Sequence, residues 1–423
     1  MKRRFMILGI GILTILASCS RNQAPTVGAE RISNKVVVEW NEIAFNAFGG
    51  PAYQHVLMAS RVYAMTHLAM HDAINAVQSK YARYSFNGNN NSADPVAAAA
   101  SAAHTVLLHE LPARKPYLDS VLQATLSSIP DGEEKTKGIE LGIDAANAVV
   151  AARTNDGSAT EPFVAVPPSQ TGGVYQAVPP FDFVFAPGWV SVKPFSLQTK
   201  DQFRPAPYPA LTSDTYAAAF NEVKEVGMKN STVRTSDQTS YAKFWYEFSE
   251  IGWNRIARVV AQNKNLDLYE SARLFALLNM AIADAYTAGW DAKFHYNFWR
   301  PYTAIRNAAV DGNAGTNAVA DWESAEPAPP VQDYPSTHSA LGNAGAMVLA
   351  RLLGDQNTFT ITSFTAVPAG SQRSFTSFSQ AANENADSRV RAGIHFRFSC
   401  EAGQELGTKI GNWTVDNHLR KIN

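Results

Sequence analysis

The chain has 423 residues, 46% of them hydrophobic, and a formal net charge of −1. That balance allows a sizeable apolar core and excludes a nucleic-acid binder, which needs a basic face. Length alone suggests two or three domains, and no repeat of short fixed period is present.

The chain opens Met1-Lys2-Arg3-Arg4, runs apolar from Phe5 to Ala17 and passes through Leu16-Ala17-Ser18-Cys19. Basic residues, a short apolar run and small residues before a cleavage point predict a secretory leader over 1–19, too short to span a bilayer. The Leu-Ala-Ser-Cys run resembles a bacterial lipobox. That implies an exported lipoprotein tethered to the membrane through lipid on Cys19 and facing the periplasm or the cell surface. An ordinary leader in which Cys19 is incidental is the alternative. Cys400 is the other cysteine, so lipid on Cys19 leaves no intramolecular disulfide, and Cys400 reads as a small buried apolar residue.

Residues 20–34 are polar and read as a tether. Residues 35–154 form an N-terminal helical layer, with apolar positions Leu57, Val62, Met65, Leu68, Ala69 and Ile74 at helical spacing and an alanine-rich stretch at 97–108. Residues 155–212 carry ten of the 22 prolines, which precludes a long helix. Phe181, Phe183, Phe185, Trp189 and Phe195 predict that this segment is strapped onto the helical body. Helical periodicity returns over 213–227, 237–262, 266–288, 336–353, 372–391 and 395–417. The expected fold is all-α: two packed helical layers joined by an irregular proline-rich strap, with 213–423 as the catalytic bundle.

Three stretches of the last third carry the chemistry: Lys293 through Arg300-Pro301, Pro335-Ser336-Thr337-His338, and Ser388-Arg389 through His395. Permanent cations, short donors and imidazoles together suit a tetrahedral oxyanion. Lys293 and Arg300 are seven apart, which on one helix returns to the same face, and Pro301 ends that element. Ser336 stands where a proline-bearing loop enters an Ala/Gly-rich helix, whose N-terminus favours anions. Arg389 and His395 are six apart, and Gly393 supplies the bend that lets them converge.

In spacing and order the three stretches resemble the superfamily of type 2 phosphatidic acid phosphatases, bacterial acid phosphatases and vanadium-dependent haloperoxidases, whose pattern is Lys-x6-Arg-Pro, Pro-Ser-x-His and Ser-Arg-x5-His. Trp290, Phe298-Trp299, Tyr334 and Gly393-Ile394-His395-Phe396-Arg397-Phe398 are closest to the haloperoxidase branch. Weaker similarity includes 61–76 and Phe203–Pro209. The resemblance implies a helical fold in which His395 bonds the anion, as axial ligand to vanadate or nucleophile toward phosphorus. His338 would be the general acid–base, while Lys293, Arg300, Arg389, Ser336 and the Thr337 amide hold the oxygens. It implies vanadate as cofactor, with hydrogen peroxide and halide as small-molecule substrates. A metal-free phosphatase acting on a phosphate ester through a phosphohistidine uses the same residues. A non-catalytic phosphate- or vanadate-binding lipoprotein is the third reading.

Three positions depart from the pattern. Ser399 stands four residues after the final histidine, where the phosphatases commonly place an aspartate that orients the ring. Thr337 replaces a usual glycine, and Val331 stands where haloperoxidases tend to carry Phe or His beside the halide. Elsewhere, His67 and His71 lie at i, i+4 beside Asp72, a spacing that can bind a metal. No second pair matches them, and their apolar neighbours favour buried polar residues. His104 and His109 read as ordinary helix residues.

Overall fold

The protein is described by a computed structural model over residues 31–422. The expected leader, Cys19 and the first part of the tether lie outside the described residues. The N-terminal part is α1 (Lys35–Phe48), α2 (Val56–Val77), α3 (Pro95–Glu110), α4 (Lys115–Ser127) and α5 (Glu133–Ala152). The strap holds a short antiparallel hairpin, β1 (Phe163–Ala165) with β2 (Phe183–Phe185). Then follow α6 (Asp214–Val226), α7 (Ser236–Phe244), α8 (Ser249–Asn263), α9 (Leu268–Tyr296) and α10 (Pro301–Arg306). The last elements are α11 (Thr337–Leu353), a second antiparallel hairpin of β3 (Gln356–Thr362) and β4 (Gln372–Ser377), α12 (Phe378–Arg391) and α13 (Arg397–Asn417).

The fold is built around α9. Asp267 accepts from the Glu270 amide and the Glu270 carboxylate accepts from the Asp267 amide, a capping box that fixes its start. From there α9 is buried on every face from Leu274 to Lys293, the pattern of a helix inside a core. The apolar α2 packs on one side, and α11 and α13 on another, so the N-terminal helices and the C-terminal bundle share this one central helix. At the far end, Asn297 in left-handed conformation stops the helix just after Lys293.

The strap is pinned by buried carboxylates. Asp284 on α9 accepts from the amides of Phe195 (2.6 Å), Ser196 (2.7 Å) and Leu197 (3.0 Å). Asp156 holds Arg61 and Arg153 where the strap leaves α5. Trp189 and Val178 are buried and Val174 bridges to Phe298, so the strap covers the segment that leads to Arg300.

Contact between α11 and α13 depends on missing side chains. A Cβ at Gly403 would overlap the Ser336 carbonyl, and one at Gly407 would overlap that of Ala340. These glycines let α13 lie against the N-terminal turn of α11, which seats Ser336 at its final depth.

Three local expectations are corrected. Residues 372–377 are a strand rather than the first turns of a helix, because Phe375 pairs with Phe359 across the hairpin and both are buried. Their alternation with polar residues has the period of a strand. The last helix begins at Arg397, which leaves His395 in the preceding bend. Lys293 and Arg300 do not share a helix: α9 ends at Tyr296, and Arg300 is the extended N-cap of α10.

Candidate active site

Lys293, Arg300 and Arg389 are 0%, 1% and 2% exposed, although each carries a long cationic side chain. One loop receives the first two. Lys293 Nζ donates to the carbonyls of Gln332 (2.6 Å) and Asp333 (2.9 Å), and Arg300 Nε donates to that of Val331 (2.7 Å). Arg300 Nη1 donates to the Ile394 carbonyl at 2.8 Å and to His395 Nε2 at 3.0 Å. The break after α9 replaces helical periodicity here: the chain turns at Asn297, and Arg300 bonds the carbonyl next to those that receive Lys293.

Arg389 comes from the last turn of α12, and Gly393 at φ +78° turns the chain back so that His395 faces it. No side chain larger than hydrogen fits there, since a Cβ on Gly393 would overlap the Gly227 carbonyl. Arg389 Nη1 donates to the Trp245 carbonyl at 3.0 Å, and the same oxygen takes His338 Nε2 at 2.8 Å. A carbonyl only accepts, so the neutral His338 ring carries its proton on Nε2 and leaves Nδ1 free to receive one.

Ser336 caps α11, its Oγ accepting from the amide (3.3 Å) and hydroxyl (3.0 Å) of Ser339. Its own amide is committed to the Ser399 carbonyl at 2.8 Å. The donors that face outward at this helix start are therefore the Ser336 hydroxyl and the amide of Thr337, the first helical residue. Thr337 is accommodated because its methyl packs on Gly289 of α9.

Burial, and then the charges of Arg300, Lys293 and Arg389, hold the His395 imidazole well below the usual range. Burial and Arg389 do the same to His338. Burial, then Arg300, lowers Lys293 well below a normal ammonium, and burial brings Arg389 down to about 10. Among the described residues, Asp333 is the one carboxylate within ion-pair reach of these three cations, at 4.0 Å from Arg300. Arg389 Nε is buried without a partner. Uncompensated buried positive charge plus an orphaned donor is the environment a multiply charged oxyanion would satisfy. The residues present therefore fit vanadate or phosphate.

The structure thus brings Lys293, Arg300, Ser336, Thr337, His338, Arg389 and His395 to one place. Sequence reasoning missed two participants. Trp245 acts through its backbone, which no side-chain motif reveals. Asp333 lies 2.9 Å through Oδ1 from His395 Nδ1, two residues before the Pro-Ser-Thr-His motif. The signal for it was the serine at 399, whose hydroxyl donates to Asp333 Oδ2. Trp290 is buried and donates to the Phe185 carbonyl at 3.3 Å, tying α9 to the strap.

The other histidines stand apart. His67 is buried, stacked on Phe275 with Nε2 at 2.9 Å from Asn41, and burial lowers it to about 3. His71 meets Asp72, which anchors the amides of Tyr84, Ser85 and Phe86. No group of three metal-ligating side chains occurs among the described residues. Cys400 is a free buried thiol.

The chain is similar to several known proteins. Residues 273–423 match the family model of the second helical-bundle domain of vanadium chloroperoxidase. The vanadium chloroperoxidase of Curvularia inaequalis is 26% identical over 411 residues, covering 76% of this chain and 66% of that protein, so the chain spans just under two thirds of its length. A bacterial vanadium-dependent iodoperoxidase superposes with a TM-score of 0.80 at 24% identity, covering 93% of this chain and 98% of its own. A holo-type bacterial vanadium-dependent chloroperoxidase gives 0.72 at 18% identity, covering 91% and 97%. Residues 273–423 are similar to that helical-bundle domain, and the chain shares the helical fold of the vanadium haloperoxidase structures.

Proposed function

We propose that this relative of the vanadium haloperoxidases binds vanadate at His395 and uses it with hydrogen peroxide to oxidise a halide. The observation that carries the reading is the contact of Arg300 Nη1 with His395 Nε2. Arginine only donates, so the 3.0 Å contact makes Nε2 an acceptor with its lone pair turned toward the buried cations.

When bound, vanadate would supply a Lewis-acidic centre able to activate peroxide. Lys293, Arg300 and Arg389 would neutralise its charge, and the Ser336 hydroxyl and Thr337 amide would hold its oxygens. His338, fixed by the Trp245 carbonyl, would receive and return a proton at Nδ1. Trp290, buried and bonded to the Phe185 carbonyl, ties α9 to the strap beside this site.

A metal-free phosphatase is the second reading, and one observation favours it. Ser399 in place of the orienting aspartate points away from phosphatases, yet Asp333 supplies a carboxylate beside His395, so that argument falls. Purified protein assayed with and without vanadate, for phenol-red bromination and for p-nitrophenyl phosphate hydrolysis, separates the two. Vanadate-dependent bromination supports the first reading, and vanadate-inhibited hydrolysis alone overturns it. The same proposal places the mature protein at a membrane through lipid on Cys19. No described helix is long and apolar enough to cross one.

A further inference from the structure

We propose that Asp333 is the positioning carboxylate of His395, supplied from the loop before the second motif instead of from the position four residues after the histidine. The proposal rests on the reading of His395 as the anion-bonded residue.

The donor–acceptor logic comes first. With Arg300 Nη1 donating to Nε2, the single proton of a neutral His395 ring must sit on Nδ1. Nδ1 stands 2.9 Å from Asp333 Oδ1, which also lies 4.0 Å from Arg300 Nη1, and the approach falls short of a linear hydrogen bond. Asp333 thus completes a line from carboxylate to imidazole to the cationic cradle. A carboxylate at the far nitrogen fixes the tautomer and ring orientation and makes the facing nitrogen a better ligand or nucleophile.

The carboxylate is itself held from several directions. Its Oδ2 takes the Ser399 hydroxyl, and the Phe396 amide also bonds it. Its backbone amide donates to the Phe298 carbonyl at 2.9 Å, while its carbonyl accepts from Lys293. Turning the Asp333 carboxylate away from His395 would break its bonds to the Ser399 hydroxyl and the Phe396 amide.

Ser399 is what makes the relocation work. Both residues are 0% exposed and touch through their side chains. An aspartate at 399 would press a second buried carboxylate onto Asp333, which like charges in a low dielectric disfavour. A hydroxyl there donates to the relocated acid. Positions 333 and 399 therefore divide one task, carboxylate and supporting donor, in the reverse of the arrangement in which the acid follows the histidine.

Three variants of the full chain test this: Asp333→Asn, Asp333→Ser, and Asp333→Ser with Ser399→Asp. The readouts are the imidazole nitrogen resonances of 15N-histidine-labelled protein without vanadate, and calorimetric titration with orthovanadate. The wild type should show Nδ1–H on His395, and Asp333→Asn should reduce that population, because the Arg300 contact alone then selects it. Asp333→Asn should also bind vanadate 10–100-fold more weakly, the usual loss when the outer partner of a ligand histidine is removed. The double variant should bind at least tenfold tighter than Asp333→Ser alone. An Nε2–H wild type, an Asp333→Asn affinity within twofold of wild type, or a loss of affinity with the tautomer unchanged would each overturn the proposal. A double variant no better than Asp333→Ser would overturn the division of the task with Ser399. Wild type that binds vanadate but oxidises no halide would sink the peroxidase reading and leave this inference standing, because the tautomer is read without turnover.

Discussion

His338 and Arg389 share one acceptor, the carbonyl oxygen of Trp245, at 2.8 and 3.0 Å. Trp245 lies in the break between α7 and α8, so an irregular turn aims a proton carrier and a cation at the same space. The arrangement ties the tautomer of His338 to the placement of Arg389.

From it follows a contrast between the two histidines. His338→Ala leaves the cationic cradle intact, so orthovanadate should still bind, while turnover falls about 10²–10⁴-fold, the usual share of general acid–base catalysis. His395→Ala removes the group that faces the cations through its lone pair, so binding and turnover should both collapse. Calorimetry on the two variants checks this. Equal loss of binding in both means the roles are wrongly divided.

Arg300 donates to three acceptors, the Val331 and Ile394 carbonyls and His395 Nε2. Lysine keeps the charge but not the fork. Arg300→Lys should weaken orthovanadate binding at least tenfold and lower Tm, since buried acceptors lose their donors. A variant with unchanged Tm and affinity would show that charge alone suffices.

Glu250 is buried and takes the hydroxyls of Tyr53 and Tyr286, the second at 2.8 Å. Burial raises its carboxyl to about 7 despite these donors. The folded chain then holds a proton that the unfolded chain has released, so Glu250 makes stability fall as pH rises from the ordinary glutamate value to about 7. The effect is on the order of 3 kcal/mol. Glu250→Gln should flatten that part of the stability–pH curve in denaturant titrations, and an unchanged slope would refute the assignment.

Gly407 lies where α13 touches the Ala340 carbonyl of α11. Gly407→Val forces backbone apart and should cost about 1–3 kcal/mol or more, the range for overpacking. Because the same contact seats Ser336, orthovanadate affinity should fall with it. A variant of wild-type Tm would show that the helices can separate without cost.

Lipid on Cys19 predicts that the mature chain partitions into membranes and that Cys19→Ala releases it. Intact-mass measurement showing an unmodified Cys19 removes the claim.

The helical class, the irregular strap and the pattern of cationic and imidazole residues are legible in the sequence, because periodicity, proline content and motif spacing are local properties. The 155–212 strap was legible from its prolines and aromatics, and Ser336 as a cap from its place before an Ala/Gly-rich helix. What it missed depended on partners distant in the chain. The β4 strand falls in a stretch of helical periodicity over 372–391, because the Phe359–Phe375 pairing that makes it a strand is not local. The shared face of Lys293 and Arg300 gave way to a turn at Asn297, and the loop at 331–333 receives both cations through its carbonyls. Asp333 and the Trp245 carbonyl entered the site only in three dimensions: a backbone oxygen has no sequence signature, and a carboxylate can be supplied from any segment that folding brings within hydrogen-bond reach of the ring.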